Sequence, residues 1–257
     1  MANKEKDMTQ LRNTALALLS TLIMGTQSVL ANQISTTELH AILGVITNFI
    51  LDDSTITHNG ITYGKVTSPY TGRVWLDRNL GATQVCTSFD DTECYGDYYQ
   101  WGRNHDGHEK SSSLTSTIQA TALNSVGTDF IIGNSDWTSL DILAGTRGQS
   151  LFTTDGSFMC PVGFRMPTLS ELNAELLDEG SAEIANNNDA FNSFLKLPSA
   201  GIRYNLDGVM HGVGIFGAVW SLSPIMTNAF SFHFELFTAT LNSDVRAMGL
   251  SIRCLKN

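Results

Sequence analysis

Four cysteines constrain this chain more than any other feature. They stand at Cys86, Cys94, Cys160 and Cys254. The number is even, and none lies in the C-x-x-C spacing of thiolate zinc sites and redox motifs, so zinc is weakly supported. The pattern suits a disulfide framework formed in an oxidising compartment. Four cysteines allow three connectivities. The favoured one joins Cys86 to Cys94, pinning a short polar loop, and Cys160 to Cys254, tying the middle of the chain to its end. In the chain-entropy picture the long loop contributes about 4–5 kcal/mol and the short one about 2–3 kcal/mol.

The N-terminus points to the same compartment. Lys4, Lys6 and Arg12 make a basic region, diluted by Glu5 and Asp7, and Thr14 to Gly25 is a short uncharged run. Val29-Leu30-Ala31 then offers small residues where a signal peptidase reads. Residues 1–31 are therefore expected to be a secretory signal, leaving no stable membrane span after cleavage; the run is shorter than the roughly 20 residues a spanning helix needs. The expected localisation is secreted or cell-surface, outside the cytoplasm. Net charge is −10, from 15 Lys and Arg against 25 Asp and Glu. Such an acidic balance repels phosphate backbones, which argues against nucleic acid as a partner.

Along the chain, Ile42, Val45, Ile46, Phe49 and Ile50 recur at three- and four-residue steps, which predicts an amphipathic helix. Residues 32–59 are taken as this helical extension and a linker, and residues 60–257 as the main domain. Ile61–Val66 and Gly72–Arg78 have strand composition around a Pro-Tyr-Thr-Gly turn. Residues 104–135 are rich in Ser, Thr, Asn and Gly and read as long surface loops, where binding residues tend to sit. Thr168-Leu169-Ser170-Glu171 is a capping box that predicts a helix running to about Asp178 and stopping at Gly180. A second helix is expected over Ser181–Phe194. Asp207-Gly208 signals a hairpin. In Phe230–Leu236 the alternation places Phe230, Phe232, Phe234 and Leu236 on one face. In Met248–Cys254 it places Met248, Leu250, Ile252 and Cys254 on one face, so the last cysteine points inward.

Six ordered segments carry a resemblance. YGKVTSPYTGRVWLDRNLGATQV (63–85), YGDYYQWGRNHDGHEK (95–110), CPVGFRMPTLSELNAE (160–175), LKLPSAGIR (195–203), GVGIFGAVWS (212–221) and MGLSIRC (248–254) resemble the Fibrobacter succinogenes major paralogous domain over about residues 60–256. That family is similar in fold to C-type-lectin-like domains and to the formylglycine-generating enzyme. The resemblance implies an α+β, C-type-lectin-like domain with a twisted antiparallel sheet, two helices and long loops. It also implies that the cysteine of the CP-x-GFR segment, Cys160, pairs with Cys254. Cys86 and Cys94 depart from the family pattern and make a local elaboration.

The chemistry-bearing residues follow from there. The oxidase of similar fold uses a reactive cysteine pair near its C-terminal end; Cys254 is alone in the last third, so that activity is not expected. No G-x-S-x-G elbow occurs. His105-Asp106-Gly107-His108 is the one local histidine cluster, and a metal there would need a third ligand. No metal or other cofactor is assigned. Calcium would find oxygen ligands at Asp90-Asp91, Asn134–Asp136 and Asn186–Asp189, none of which matches an EF-hand loop. Trp75, Trp101 and Trp220 lie inside the family segments and are expected in the core; Trp137 stands outside them and could stack on a sugar. Arg73, Arg78, Arg165 and Arg253 are expected to pair with acids or carbonyls inside the scaffold. In lectin-like folds the hairpin and loops of the last third form the ligand face, which singles out Arg203, Tyr204, His211 and Asn228 as binding residues. The expectation is a non-catalytic, secreted or surface ligand-binding or adhesion domain recognising a glycan or protein. The rival is a structural protein that assembles through the N-terminal helix.

Overall fold

The computed structural model describes residues 54–257. The expected signal segment and N-terminal helix lie outside the described residues. In chain order the elements are β1 (Thr55–His58), β2 (Ile61–Thr67), β3 (Val74–Leu76), β4 (Tyr99–Gln100), β5 (Thr115–Ser116) and β6 (Phe130–Ile131). Then come α1 (Gly145–Leu151), β7 (Phe164–Arg165), α2 (Leu169–Leu176) and α3 (Asn187–Asn192). The last third is strand: β8 (Ile202–Arg203), β9 (Met210–His211), β10 (Gly217–Ile225), β11 (Asn228–Phe234), β12 (Ala239–Val245), β13 (Gly249–Leu250) and β14 (Leu255–Lys256). The domain is α+β with mainly antiparallel sheets.

Thr55–His58, within the stretch expected as linker, form β1 instead. Asn59 and Gly60 turn it into β2 at φ of 49° and 80°. Asn-Gly is the pair that tolerates this left-handed geometry in a two-residue hairpin loop. The sheet that begins there runs β1-β2-β3-β14-β7. The final strand is thus internal, with Leu255 opposite both Trp75 and Arg165. This placement explains why Cys254 is fully buried. Its sulfur bonds to Cys160, and Cys86 bonds to Cys94, with Cα separations of 6.0 and 5.0 Å. Both expected pairings are present, and two such bonds fit an oxidising environment.

The long hairpin ladder β10-β11-β12 packs on both faces. From β10, Ala218, Trp220 and Leu222 enter one apolar cluster with Leu250, Ile252 and the Cys160–Cys254 pair. Val219 enters another with Trp75, Leu172, Phe232 and Phe234. The two faces explain where strict alternation fails: Ser231 is buried beside Phe232, while Leu236 is exposed past the end of β11. Gly249, Ser251 and Arg253, on the supposed outer face of the last segment, are buried too.

The helices differ from expectation in number and length. Helix α2 begins as the capping box dictates: Thr168 Oγ1 accepts from the Glu171 N–H at 3.1 Å, and the Thr168 N–H donates to Glu171 Oε2 at 2.8 Å. It ends early because the Ala182 and Ile184 amides fold back onto the carbonyls of Glu175 and Leu176. Residues 181–185 close α2 rather than start a helix. Helix α3 starts only where the Asn186 side chain accepts from the Asp189 N–H. Helix α1 was not expected. Its amides are capped from upstream, with Asp141 accepting from the N–H groups of Thr146 and Arg147 at 3.1 and 2.7 Å, a cap outside the usual sequence pattern.

Five arginines are almost fully buried: Arg103, Arg147, Arg203, Arg246 and Arg253. Guanidinium and indole planes alternate around Trp101 and Trp137. Arg147 lies 5.8 and 5.2 Å from the two ring centres, Arg246 lies 5.0 Å from Trp101, and Arg103 lies 5.8 Å from Trp137. Cation–π attraction of this kind strengthens once water is removed. Asp136 offsets part of this charge with a bidentate pair to Arg147 at 2.8 and 2.7 Å. Arg253 has no such acid; it donates to Asn79 Oδ1 and to the carbonyls of Leu76 and Leu195. Desolvation pulls its pKa down to about 9, which still leaves it charged at neutral pH. The expected internal roles of Arg78 and Arg165 also hold, for Arg78 grips Asp77 at 2.8 Å and Arg165 grips Glu171 at 2.7 Å, whereas Arg73 lies 3.8 Å from Glu175 with its side chain 40% exposed.

Candidate functional site

The Ser- and Thr-rich stretch 104–135 contains few regular elements, yet it is held at many points. β5 and β6 pair in parallel, extended by bonds from Phe130 N–H to Leu114 O and Ile132 N–H to Ser116 O. The Ala120 N–H donates to Trp137 O at 2.9 Å. From below, Arg103 reaches up with Nη2 on Gly127 O at 2.7 Å and Nη1 on Asp129 O at 2.9 Å. The same guanidinium binds Gln100 Oε1 and Asp106. Loops fixed to a buried cation in this way do not need to be ordered when a ligand arrives.

These loops enclose a cleft of about 420 Å³ between residues 116 and 131. Ligand pockets span roughly 300–1,000 Å³. Ser116, Gln119, Thr121, Ser125 and Thr128 supply polar atoms to its wall, and Ile118, Val126 and Ile131 supply apolar ones. Asp129 is the one charged lining residue. Ser125 holds φ of 56°, a left-handed conformation that a residue with a Cβ seldom adopts without support from its surroundings. Sequence composition points to this stretch but not to the residues within it. The pinning arginine is 13 or more positions away and carries no local motif.

The four residues singled out from the last third separate. Arg203 is buried, not presented to a ligand. Its guanidinium donates to the carbonyls of Gly208, Lys110 and Ser113 and lies 4.3 Å over the Phe130 ring. It fastens the β8–β9 hairpin to the 104–135 loops. Tyr204 and His211 come together on that hairpin, ring centres 5.0 Å apart, with His211 Nε2 3.2 Å from Asp207. The hairpin abuts the back of the cleft wall, because Gly208 packs on Thr115 and Ile132 so closely that a Cβ would lie 2.5 Å from Thr115. Asn228 opens β11 beside the Met226 turn, where its carbonyl accepts from Arg246. All four tryptophans, Trp137 included, are buried, so none offers a stacking platform.

The histidine cluster gains the third group it needed, for Asp106, His108 and Glu109 converge within 4.8 Å. The protons are nevertheless already placed. His108 Nε2 accepts from the Gln100 backbone N–H at 3.1 Å, so Nδ1 carries the hydrogen and donates it to Asp106 at 2.6 Å. Neither ring nitrogen keeps a lone pair for a cation. Burial, outweighing Asp106, pushes the His108 pKa down and keeps the ring neutral. The trio is a structural knot between β4 and the loops.

The oxygen-rich stretches weighed for calcium are engaged locally. Asp91 accepts from Thr87 and Glu93, Asp136 holds Arg147, and Asp189 accepts from the Ala185 N–H. Ser231, His233 and Asp244 do cluster, but Asp244 stands in the middle, bound to both the Ser231 hydroxyl and His233 Nε2. Nucleophilic catalysis needs the histidine between serine and acid. Among the described residues every cysteine is disulfide-bonded, and no helix is long and apolar enough to cross a membrane. Comparison with family models, with curated proteins and with solved structures finds no match for this chain.

Proposed function

We infer that this chain is a non-catalytic ligand-binding domain working outside the cytoplasm, at the cell surface or secreted, and that it recognises a glycan or a protein through the 116–131 cleft. The observation that carries this reading is the cleft itself, preformed in loops that Arg103 fastens from beneath. Evolutionarily variable loops on a rigid scaffold are the usual way a fold separates stability from recognition. The two disulfides support an extracytoplasmic site of action. The resemblance to the major paralogous domain supports a C-type-lectin-like architecture. The knotted state of His108 and the central position of Asp244 support a binding role over catalysis.

The test is capture on combined glycan and protein arrays, using the full chain and a variant with the cleft filled. Ala122 is exposed and lines the cleft, so Ala122→Trp occludes it without touching the core. The wild-type chain captures a ligand, and Ala122→Trp weakens that capture more than tenfold. No capture by the wild type on either array, or equal capture by both proteins, overturns the reading.

A further inference from the structure

We propose that the 116–131 cleft takes a non-ionic, hydroxyl-rich ligand, a neutral saccharide segment; this rests on the cleft being the binding site. The lining excludes the charged alternatives. It contains no lysine, arginine or histidine, so a carboxylate, sulfate or phosphate on the ligand would lose its hydration with no cation to replace it. The whole chain carries −10, which adds long-range repulsion for anions. A cation would meet Asp129 alone, with no aromatic ring in the lining to stack on it. Purely apolar ligands are also disfavoured, because they would strip water from hydroxyls without replacing its hydrogen bonds.

What remains matches a sugar. The hydroxyls of Thr121, Ser125 and Thr128 are exposed and make no hydrogen bond within the described chain. Gln119 gives its Nε2 to Asp136 O at 3.0 Å, which fixes the amide and leaves Oε1 to accept. Hydroxyl groups can donate and accept at once, so they pair with ligand hydroxyls of either orientation. Between them, Ile118 and Val126 offer methyl surface for the C–H faces of a pyranose ring. With the tryptophans buried, recognition works through hydroxyl pairing rather than aromatic stacking, so affinity per site is modest.

Calorimetric titration of the full chain decides the question. The probes are maltotetraose, cellotetraose and N-acetylchitotetraose as neutral ligands, sialyllactose and a heparin tetrasaccharide as anions, and a chitosan tetramer as a cation. A Thr121→Val/Thr128→Val variant removes two hydroxyls and keeps their shape. At least one neutral probe binds, its affinity stays within twofold between low and high salt, and the double variant weakens it about tenfold. Binding confined to the anionic or cationic probes, lost on Ala122→Trp, overturns the neutral character of the ligand and leaves the cleft as the site. Neutral-probe binding unmoved by Ala122→Trp overturns both. Silence from every probe overturns the inference, while capture on the protein array still upholds the broader reading.

Discussion

Two regions of this domain are held by different means. Around Cys160–Cys254, order comes from a covalent tie, an internal C-terminal strand and an apolar cluster that includes Trp220, Leu250 and Ile252. Around the 116–131 cleft, order comes from polar pins, chiefly buried guanidinium groups donating to loop carbonyls. Apolar burial is non-directional and tolerates exchange of one residue for another of similar volume. A guanidinium offers five donors in fixed directions, so it can hold irregular backbone in one shape. The contrast shows how a loop can be rigid without secondary structure. It also means that the cleft can be loosened without dismantling the sheets, and that is open to direct measurement.

The largest effect belongs to the covalent end. Cys160→Ala/Cys254→Ala opens a loop of 94 residues, and the folded state loses about 4–5 kcal/mol. Cys86→Ala/Cys94→Ala opens one of 8 residues and loses about 2–3 kcal/mol. Urea unfolding of both variants under non-reducing conditions checks the ranking. Equal losses would mean that the chain-end bridge organises the fold no more than the short one does. Next comes the polar end. Arg103→Met leaves the Gly127 and Asp129 carbonyls without a donor and takes one donor each from Gln100 Oε1 and Asp106. It destabilises by about 3 kcal/mol. Amide hydrogen exchange accelerates over residues 113–131 and stays slow in β14. Acceleration spread evenly over both regions would break the comparison.

The sequence exposed the covalent end far better than the polar one. Cysteine spacing gave the bridges a short list of partners, and the Thr168–Glu171 box announced α2 because all its groups lie within four residues. The Asn59-Gly60 turn was equally local, but the strand before it is only four residues long, too short for its alternation to stand out. The failures share a cause. Arg103, Arg147 and Arg246 act on partners 26, 11 and 104 positions away, Asp129, Asp136 and Ile142, and nothing beside them in the chain marks them as internal. Arg203 misled for the same reason: an arginine in a hairpin looks solvent-facing until the 108–113 loop is folded over it. The cleft was legible only as a tract of Ser, Thr and Gly. Which of its residues face inward depends on the β5–β6 pairing, whose two members are 15 positions apart.

The smallest effect concerns the pin that fastens α2 to the covalent end. Glu171 caps its own helix and grips Arg165 of β7 through both carboxylate oxygens, at 2.8 and 2.7 Å. Partial burial works to raise its pKa, but Arg165 and the Thr168 N–H and hydroxyl outweigh it and hold the carboxyl down at about 2. A carboxyl depressed in the folded state stabilises above its unfolded pKa, and that stabilisation disappears as pH falls through the folded value. The contribution is therefore full at neutral pH and erodes from about pH 4.5 towards 2. After allowance for solvent screening it amounts to about 1–2 kcal/mol. Asp106 at the polar end is also depressed, against its own desolvation, by His108 and Arg103, so acid weakens both regions and wild-type data alone do not separate them. Glu171→Gln does, because it removes one titration and keeps the shape. Its urea midpoint falls below wild type at pH 7, and the gap narrows steadily as both proteins are taken to pH 3. A gap that stays constant with pH would show that the Glu171–Arg165 pair adds nothing as a charge and serves only as a hydrogen-bonded spacer between α2 and the sheet.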